Sequence, residues 1–294
     1  MTISNEALKV LASFPNKYLA YENDQNVGFE EQQKNWEEAC NDSFDQCIGY
    51  EQMRIGSALI EKCIPKKAAD RLCILHFHGG GFVTGSIATY RKFCSVLAKK
   101  TGFQVWNVGY TLATREKYPY QESEIAEISK YIASRNMAVI IGGDSSGGAL
   151  ALAAANIMRE EKIEKPRLLY LLSPWLDLTL SGKSMQELDA IDPLVLEKDL
   201  ARNASIYCDA GDLEKASPLF KDVAHDYPVH IDVGGREILL DDSRRLYEII
   251  RKEHEDIKLI IKDGMWHTYQ LWFNGLPETD EAINELTNSI LQAG

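Results

Sequence analysis

Three features of the 294-residue sequence predict an α/β fold built on a mainly parallel sheet. Apolar runs short enough for strands alternate with longer segments of helical periodicity, the pattern of parallel strands joined by helical crossovers. Two of these runs end in glycine-rich turns, His78-Gly79-Gly80-Gly81-Phe82 and Gly143-Asp144-Ser145-Ser146-Gly147. The hydrophobic fraction of 45% is enough to fill a sizeable core. One catalytic domain spanning residues 1–294, with an appended cap, is the expectation.

Residues 1 to about 50 are polar, with apolar positions at helical spacing: Leu8, Leu11 and Phe14, then Phe29, Trp36 and Phe44. Aromatic side chains need somewhere to pack, so helices lying over the main domain, a first part of the cap, are expected here. Gly49 to Ile64 alternates loosely and predicts one or two edge strands, with Pro65-Lys66-Lys67 as the following turn. Arg71 to Phe77 is a continuous apolar strand of the kind that a parallel sheet buries on both faces. A helix over about 88–101, a strand Phe103 to Tyr110, a loop through Pro119, a helix over about 120–135 and a strand Met137 to Ile141 succeed it. After the serine turn, the small-residue run Gly148 to Ala155 reads as a tightly packed helix, and Arg167 to Trp175 as a strand stopped by Pro174. Leu176 to about Phe220 holds no core strand and is long for a connection, so a helical insertion, with an amphipathic stretch from Glu197 to Tyr207, supplies the second part of the cap over about 176–220. Strands at Val229 to Val233 and Ile257 to Ile261, a helix from about Leu240 to Glu253 and a terminal helix from about Glu278 complete the pattern.

Composition narrows the function classes. With 32 basic and 44 acidic residues the net charge is −12, which repels phosphate backbones and anionic membranes and argues against nucleic acid as a partner. The N-terminus lacks a basic segment followed by an apolar core, and no apolar run approaches the length of a membrane span, so a cytoplasmic protein is expected. Six cysteines without a Cys-x-x-Cys pair read as buried thiols rather than disulfides or a zinc site. His76 and His78 share a strand face, but no further ligand stands nearby at metal spacing, and a histidine before a glycine loop more often braces that loop. The loop is not a dinucleotide fingerprint, because Thr84 takes the third glycine position, and no Walker lysine follows. No cofactor and no metal are expected; assembly as a homodimer is compatible with the sequence.

In open parallel sheets, sites form where loops leave the carboxyl ends of the strands. Ser145 follows one strand, Glu237 another, His267 the last, and the triple glycine an earlier one. Nucleophile, acid and histidine in that chain order are the arrangement of the α/β-hydrolases. A serine hydroxyl is a poor nucleophile at neutral pH, so an imidazole must take its proton. His267 sits in a glycine-led loop after the final core strand, whereas His225, His230 and His254 read as surface or packing residues. Three carboxylates compete to orient it: Glu237 comes first after its strand, while Asp241 and Asp242 fit the first turn of a helix, where carboxylates face the positive dipole end. Asp144, beside the nucleophile, reads as a turn or pocket residue. Backbone N–H groups of Gly80, Gly81 and Ser146 are the candidate oxyanion donors.

The glycine run and serine turn together resemble the hormone-sensitive lipase family of esterases over roughly residues 70 to 275. Ser173-Pro174-Trp175-Leu176-Asp177-Leu178-Thr179, Asp192-Pro193-Leu194 and Gly235 to Asp242 add to the likeness. The resemblance implies an eight-stranded α/β-hydrolase core, a cap built from the N-terminus and a mid-chain insertion, and hydrolysis of short acyl esters without a cofactor. Three departures stand out. Gly109-Tyr110-Thr111-Leu112-Ala113-Thr114-Arg115 replaces the family's Asp-Tyr-Arg-Leu-Ala-Pro-Glu; Glu237 stands where many members carry aspartate; and Ser146 replaces the commoner alanine, a swap expected to be tolerated because only its N–H is used. Phe82, Asp144, Trp175, Met265 and Trp266 are candidate pocket residues. The leading expectation is a serine carboxylesterase acting on a small-molecule ester. A binding scaffold without turnover is the alternative of another class, although such relatives tend to lose the histidine present here. A lactonase, peptide hydrolase or amide deacetylase would use the same machinery.

Overall fold

A computed structural model describes residues 3–14, 28–40, 44–68, 71–221, 226–273 and 275–294. His225 and parts of the N-terminal stretch therefore lie outside the described residues. In chain order the elements are α1 (Asn5–Ser13), α2 (Phe29–Ala39), β1 (Ile48–Ile55), β2 (Ala58–Pro65), β3 (Leu72–Phe77), α3 (Ile87–Thr101), β4 (Gln104–Gly109), α4 (Tyr120–Ser134) and β5 (Ala138–Asp144). They continue with α5 (Ser146–Glu160), β6 (Leu168–Leu172), α6 (Ser184–Glu187), α7 (Glu197–Tyr207), α8 (Leu213–Ala216), β7 (Val229–Gly234), α9 (Leu240–Ile250), β8 (Ile257–Lys262) and α10 (Pro277–Ala293). The eight strands form one sheet in the order β1-β2-β4-β3-β5-β6-β7-β8. β2 runs antiparallel to both β1 and β4, and every other pair is parallel. The chain thus has the α/β-hydrolase sheet, mostly parallel and flanked by helices.

Strand alternation sends side chains to two cores. On β3, Cys73, Leu75 and Phe77 join one face with Ile125, Ile128 and Ile132 of α4, the alanine-rich α5 and Leu246 of α9. Leu72 and Ile74 join the other face with Phe93 and Leu97 of α3 and Ile283, Leu286 and Ile290 of α10. A third, smaller cluster places Ala7 of α1 with Met265, Trp266 and Tyr269, over the loop that follows β8. Ser4 caps α1 by accepting from the Ala7 amide, and its own amide and hydroxyl donate to Glu278, which ties the N-terminal helix to α10.

The loop after β4, where the sequence departs from the family pattern, is organised by the buried Glu124 of α4. Its carboxylate accepts from the Thr111 amide and hydroxyl at 2.9 and 2.8 Å and from the Ser57 hydroxyl at 2.6 Å. The Ala113 amide donates to the Phe82 carbonyl at 2.8 Å, so this loop also supports the glycine turn after β3.

Candidate active site

β5 delivers its last residues into a turn that only small residues can make. A Cβ on Gly147 would lie 2.1 Å from the Phe77 carbonyl oxygen, and one on Gly143 would lie 2.2 Å from that of Gly147, so the turn presses directly on the end of β3. Ser145 itself adopts φ 52°, ψ −126°, a conformation a non-glycine residue holds only when its surroundings impose it. The imposition is visible: its amide donates to the Leu172 carbonyl at 3.0 Å, and its carbonyl accepts from the amides of Gly148 and Trp175.

Three consecutive residues of the facing loop have positive φ: Gly80 at 112°, Gly81 at 61° and Phe82 at 67°. The Gly80 carbonyl turns back to accept from the Val83 and Thr84 amides, and Gly80 and Gly81 line the same cleft as Ser145. Asp144 fixes the start of this loop, accepting from the Gly79 amide at 3.1 Å and from the Tyr90 hydroxyl at 2.7 Å. Ser146 fixes its end: its hydroxyl accepts from the Phe82 amide at 3.1 Å. The expectation that only the backbone N–H of Ser146 matters is therefore corrected, since its side chain joins the glycine loop to the serine turn. His78 stacks on Tyr110 with ring centroids 4.3 Å apart and donates from Nδ1 to the Gly79 carbonyl at 2.7 Å. Burial lowers its imidazole to about 4, so it stays neutral as a brace. His76 pairs with the Tyr170 hydroxyl instead, at 2.9 Å.

Glu237 and His267 meet, and His267 lines the same cleft as Ser145. Glu237 Oε2 stands 2.7 Å from His267 Nδ1, while Oε1 accepts from the Ser173 hydroxyl at 2.7 Å and the Gly234 amide at 2.6 Å. A carboxylate can only accept, so Nδ1 carries the proton and Nε2 is left with its lone pair. Burial pulls the His267 imidazole down, but the charge and hydrogen bond of Glu237, with smaller contributions from Asp192 and Asp144, outweigh it and hold the imidazole above its ordinary value. The competing carboxylates are engaged elsewhere. Asp241 accepts from the Ser184 amide at 3.0 Å, and Asp242 from the amides of Leu176 and Asp177 at 2.7 and 2.9 Å.

Two supporting residues lie in family-like segments, but nothing in the sequence shows which groups they join. The Ser173 hydroxyl accepts from the Thr268 amide at 3.0 Å while donating to Glu237, so it links the acid to the histidine loop. Asp192 accepts from the Leu194 and Val195 amides on one side and from the Ile238 amide on the other, joining the residues before α7 to the turn that carries Glu237. Burial pushes its carboxyl up to about 6.

Ser145, His267, Gly80, Gly81 and Asp144 open onto one cleft of about 970 Å³. Phe29 and Trp36 of α2, Leu200 of α7 with Leu196 just before that helix, and Trp272 and Phe273 supply much of its apolar wall. Of the expected pocket residues Asp144 lines this cleft. The other four are corrected: Trp175, Met265 and Trp266 are fully buried core residues, and Phe82 is equally buried, stacked on Tyr207 at 3.9 Å. Each follows a core strand closely, but its side chain turns into the packed interior instead of the cleft.

This constellation, a serine on a strained strand-to-helix turn beside a carboxylate-bound histidine and a glycine loop, defines a hydrolase-type site. The profile of the α/β-hydrolase fold matches residues 74–271. An esterase from Acinetobacter venetianus is 34% identical over 76% of this chain and 76% of its own. The crystal structure of an esterase from the bacterial hormone-sensitive lipase family superposes with a TM-score of 0.89 at 27% identity, covering 100% of this chain and 99% of the other. EstE5, in a crystal soaked with p-nitrophenyl butyrate, gives a TM-score of 0.89 at 25% identity over 99% of both chains. The chain belongs to the α/β-hydrolase fold family, among the esterases of the bacterial hormone-sensitive lipase family.

Proposed function

We propose that this chain is a serine carboxylesterase that hydrolyses short-chain acyl esters through an acyl-serine intermediate. The observation that carries the reading is the 2.7 Å contact between Glu237 Oε2 and His267 Nδ1, which leaves Nε2 as a base on the cleft shared with Ser145. In this reading Ser145 Oγ attacks the ester carbonyl while His267 Nε2 takes its proton, and Glu237 steadies the imidazolium that results. The negative charge on the former carbonyl oxygen is received by the N–H groups of Gly80, Gly81 and Ser146, each donor being worth about 3 kcal/mol of transition-state stabilisation. Collapse expels the alcohol, protonated by His267, and leaves the acyl group on Ser145. A water then attacks the acyl carbon, His267 takes its proton, and the carboxylic acid departs as Ser145 regains its hydrogen. No step calls for a metal or cofactor. Residues 1 to about 50 and about 176–220 act as the cap, since α2 and α7 form apolar walls of the cleft.

The short-chain preference is supported by the soaked ester of EstE5 and by the acetyl esterase of Salmonella choleraesuis, 26% identical over 72% of this chain and 69% of that one. The test is hydrolysis of p-nitrophenyl acetate, butyrate and longer esters by the wild type and by Ser145→Ala. The reading expects activity that declines with acyl length and disappears in the variant; a variant that keeps most of the activity refutes it. Among the described residues no helix is long and apolar enough to cross a membrane.

A further inference from the structure

The face that α7 turns to the cleft is aliphatic at Leu200, as is Leu196 just before the helix, but polar at Asp199 and Asn203, four residues apart and therefore neighbours on one side of the helix. Asp199 is 9% exposed, and its Oδ2 is buried with no hydrogen-bond partner. Burial raises its carboxyl above the usual range, with the Arg202 charge opposing. Its place in the first turn of α7 puts it at the positive end of the helix dipole, which eases the charge but supplies no donor to the orphan oxygen. A buried acceptor without a donor costs free energy unless something entering the cleft provides one.

The position of the pair relative to the chemistry follows from Asn203. A Cβ on Gly81 would lie 2.3 Å from Asn203 Nδ2, so this amide packs against the oxyanion loop itself. Asp199 lies one helical turn away, about 6 Å along the axis. That is the reach of a substituent a few bonds from the ester carbonyl. The Arg202 guanidinium, over the Phe29 ring at 5.0 Å, brings positive charge to the same wall and disfavours a cationic group there.

We infer that Asp199, with Asn203, forms a hydrogen-bonding subsite for a neutral hydroxyl of the substrate, so that the preferred substrates are esters bearing a free hydroxyl near the scissile bond. The inference rests on the esterase reading for its turnover but not for its binding. Its test compares ethyl butyrate with ethyl 3-hydroxybutyrate, with the hydroxyl on the acyl side, and 2-hydroxyethyl butyrate, with the hydroxyl on the alcohol side. The cationic probe is 2-(dimethylamino)ethyl butyrate. kcat/KM ratios to ethyl butyrate are measured for the wild type, Asp199→Asn and Asp199→Leu. The expected result is a wild-type preference of about tenfold or more for one of the hydroxylated esters, the worth of one hydrogen bond to a charged acceptor. Asp199→Asn, which keeps a neutral acceptor, retains only part of the preference, and Asp199→Leu erases it. No hydroxyl preference in the wild type, a preference that survives Asp199→Leu, or a dominant preference for the cationic ester overturns the inference. Calorimetry in the Ser145→Ala background reads the same ratios in Kd. Absent turnover with a Kd preference that Asp199→Leu removes would refute the esterase reading and leave the subsite standing.

Discussion

Replacing Glu237 by glutamine keeps the volume of the side chain and removes one charge, so its effect can be followed atom by atom. Glu237 Oε1 receives the Ser173 hydroxyl and the Gly234 amide, both donors, and an amide oxygen must take that place. The amide nitrogen then faces His267 Nδ1, where the carboxylate oxygen stood at 2.7 Å. Because that nitrogen donates, Nδ1 must accept, the ring proton moves to Nε2, and no lone pair remains there for the Ser145 proton. A wrong tautomer of this kind costs about four orders of magnitude in kcat, or roughly 5.5 kcal/mol. The pH profile gives an independent reading. Catalysis needs the neutral imidazole, so activity falls as the pH drops through the His267 pKa. In the wild type that pKa lies above the ordinary 6.5, because Glu237 outweighs burial. In Glu237→Gln the charge is gone, burial acts with little opposition, and the acid limb of the residual activity moves below the wild-type limb. Steady-state kinetics with p-nitrophenyl butyrate from pH 5 to 9 measure both quantities. A loss of less than tenfold, or an acid limb that stays or moves upward, refutes the assignment of Glu237.

Other changes test the surrounding parts. Ser173→Ala removes the link between Glu237 and the Thr268 amide; one charged and one neutral hydrogen bond predict a kcat lowered by roughly 10- to 100-fold with a nearly unchanged KM. Ser146→Ala keeps the backbone donor but strands the Phe82 amide, so kcat should fall by about fivefold, a loss that Ser146→Thr, with its hydroxyl, partly restores. Gly80→Ala puts a Cβ 2.3 Å from the Thr84 carbonyl at φ 112°, and single-turnover acylation should slow by about 100-fold or more while thermal melting shows whether the fold persists. Burial pushes the Asp242 carboxyl up to about 7, with the Leu176 and Asp177 amides opposing. A group harder to ionise folded than unfolded stabilises the fold at pH below its unfolded value of 3.8 and loses that contribution as the pH rises through about 7. Thermal melts should therefore show Asp242→Asn gaining on the wild type between pH 4 and pH 8.

The parts of this structure that the sequence discloses are those written in contiguous residues. β3 and β5 are mostly apolar because the sheet buries both their faces, and the turns they run into are glycine-rich because backbone and backbone approach within contact there. His267 and Glu237 are readable for the same reason, each at the end of a strand. What stays hidden depends on which way a side chain leaves the chain. Trp175, Met265 and Trp266 stand at strand ends like the site residues, yet they turn into the core, and neither spacing nor hydropathy distinguishes the two directions. The walls of the cleft come instead from α2 and α7, remote in sequence from Ser145. Ser173 was visible as part of a family-like segment, but its hydrogen bonds to Glu237 and Thr268 span 64 and 95 residues. The Ser146 hydroxyl shows the same limit: its partner Phe82 lies 64 residues away, and only the folded turn brings them together.

The central claim is that Ser145 becomes acylated, and trapping the intermediate tests it most directly. Acid quenching during p-nitrophenyl butyrate turnover, followed by proteolysis and mass spectrometry, should find a butyryl group on Ser145, formed in step with a burst of p-nitrophenolate, and none in Ser145→Ala. Butyrylation of another residue, or turnover at the wild-type rate in Ser145→Ala, would contradict the account.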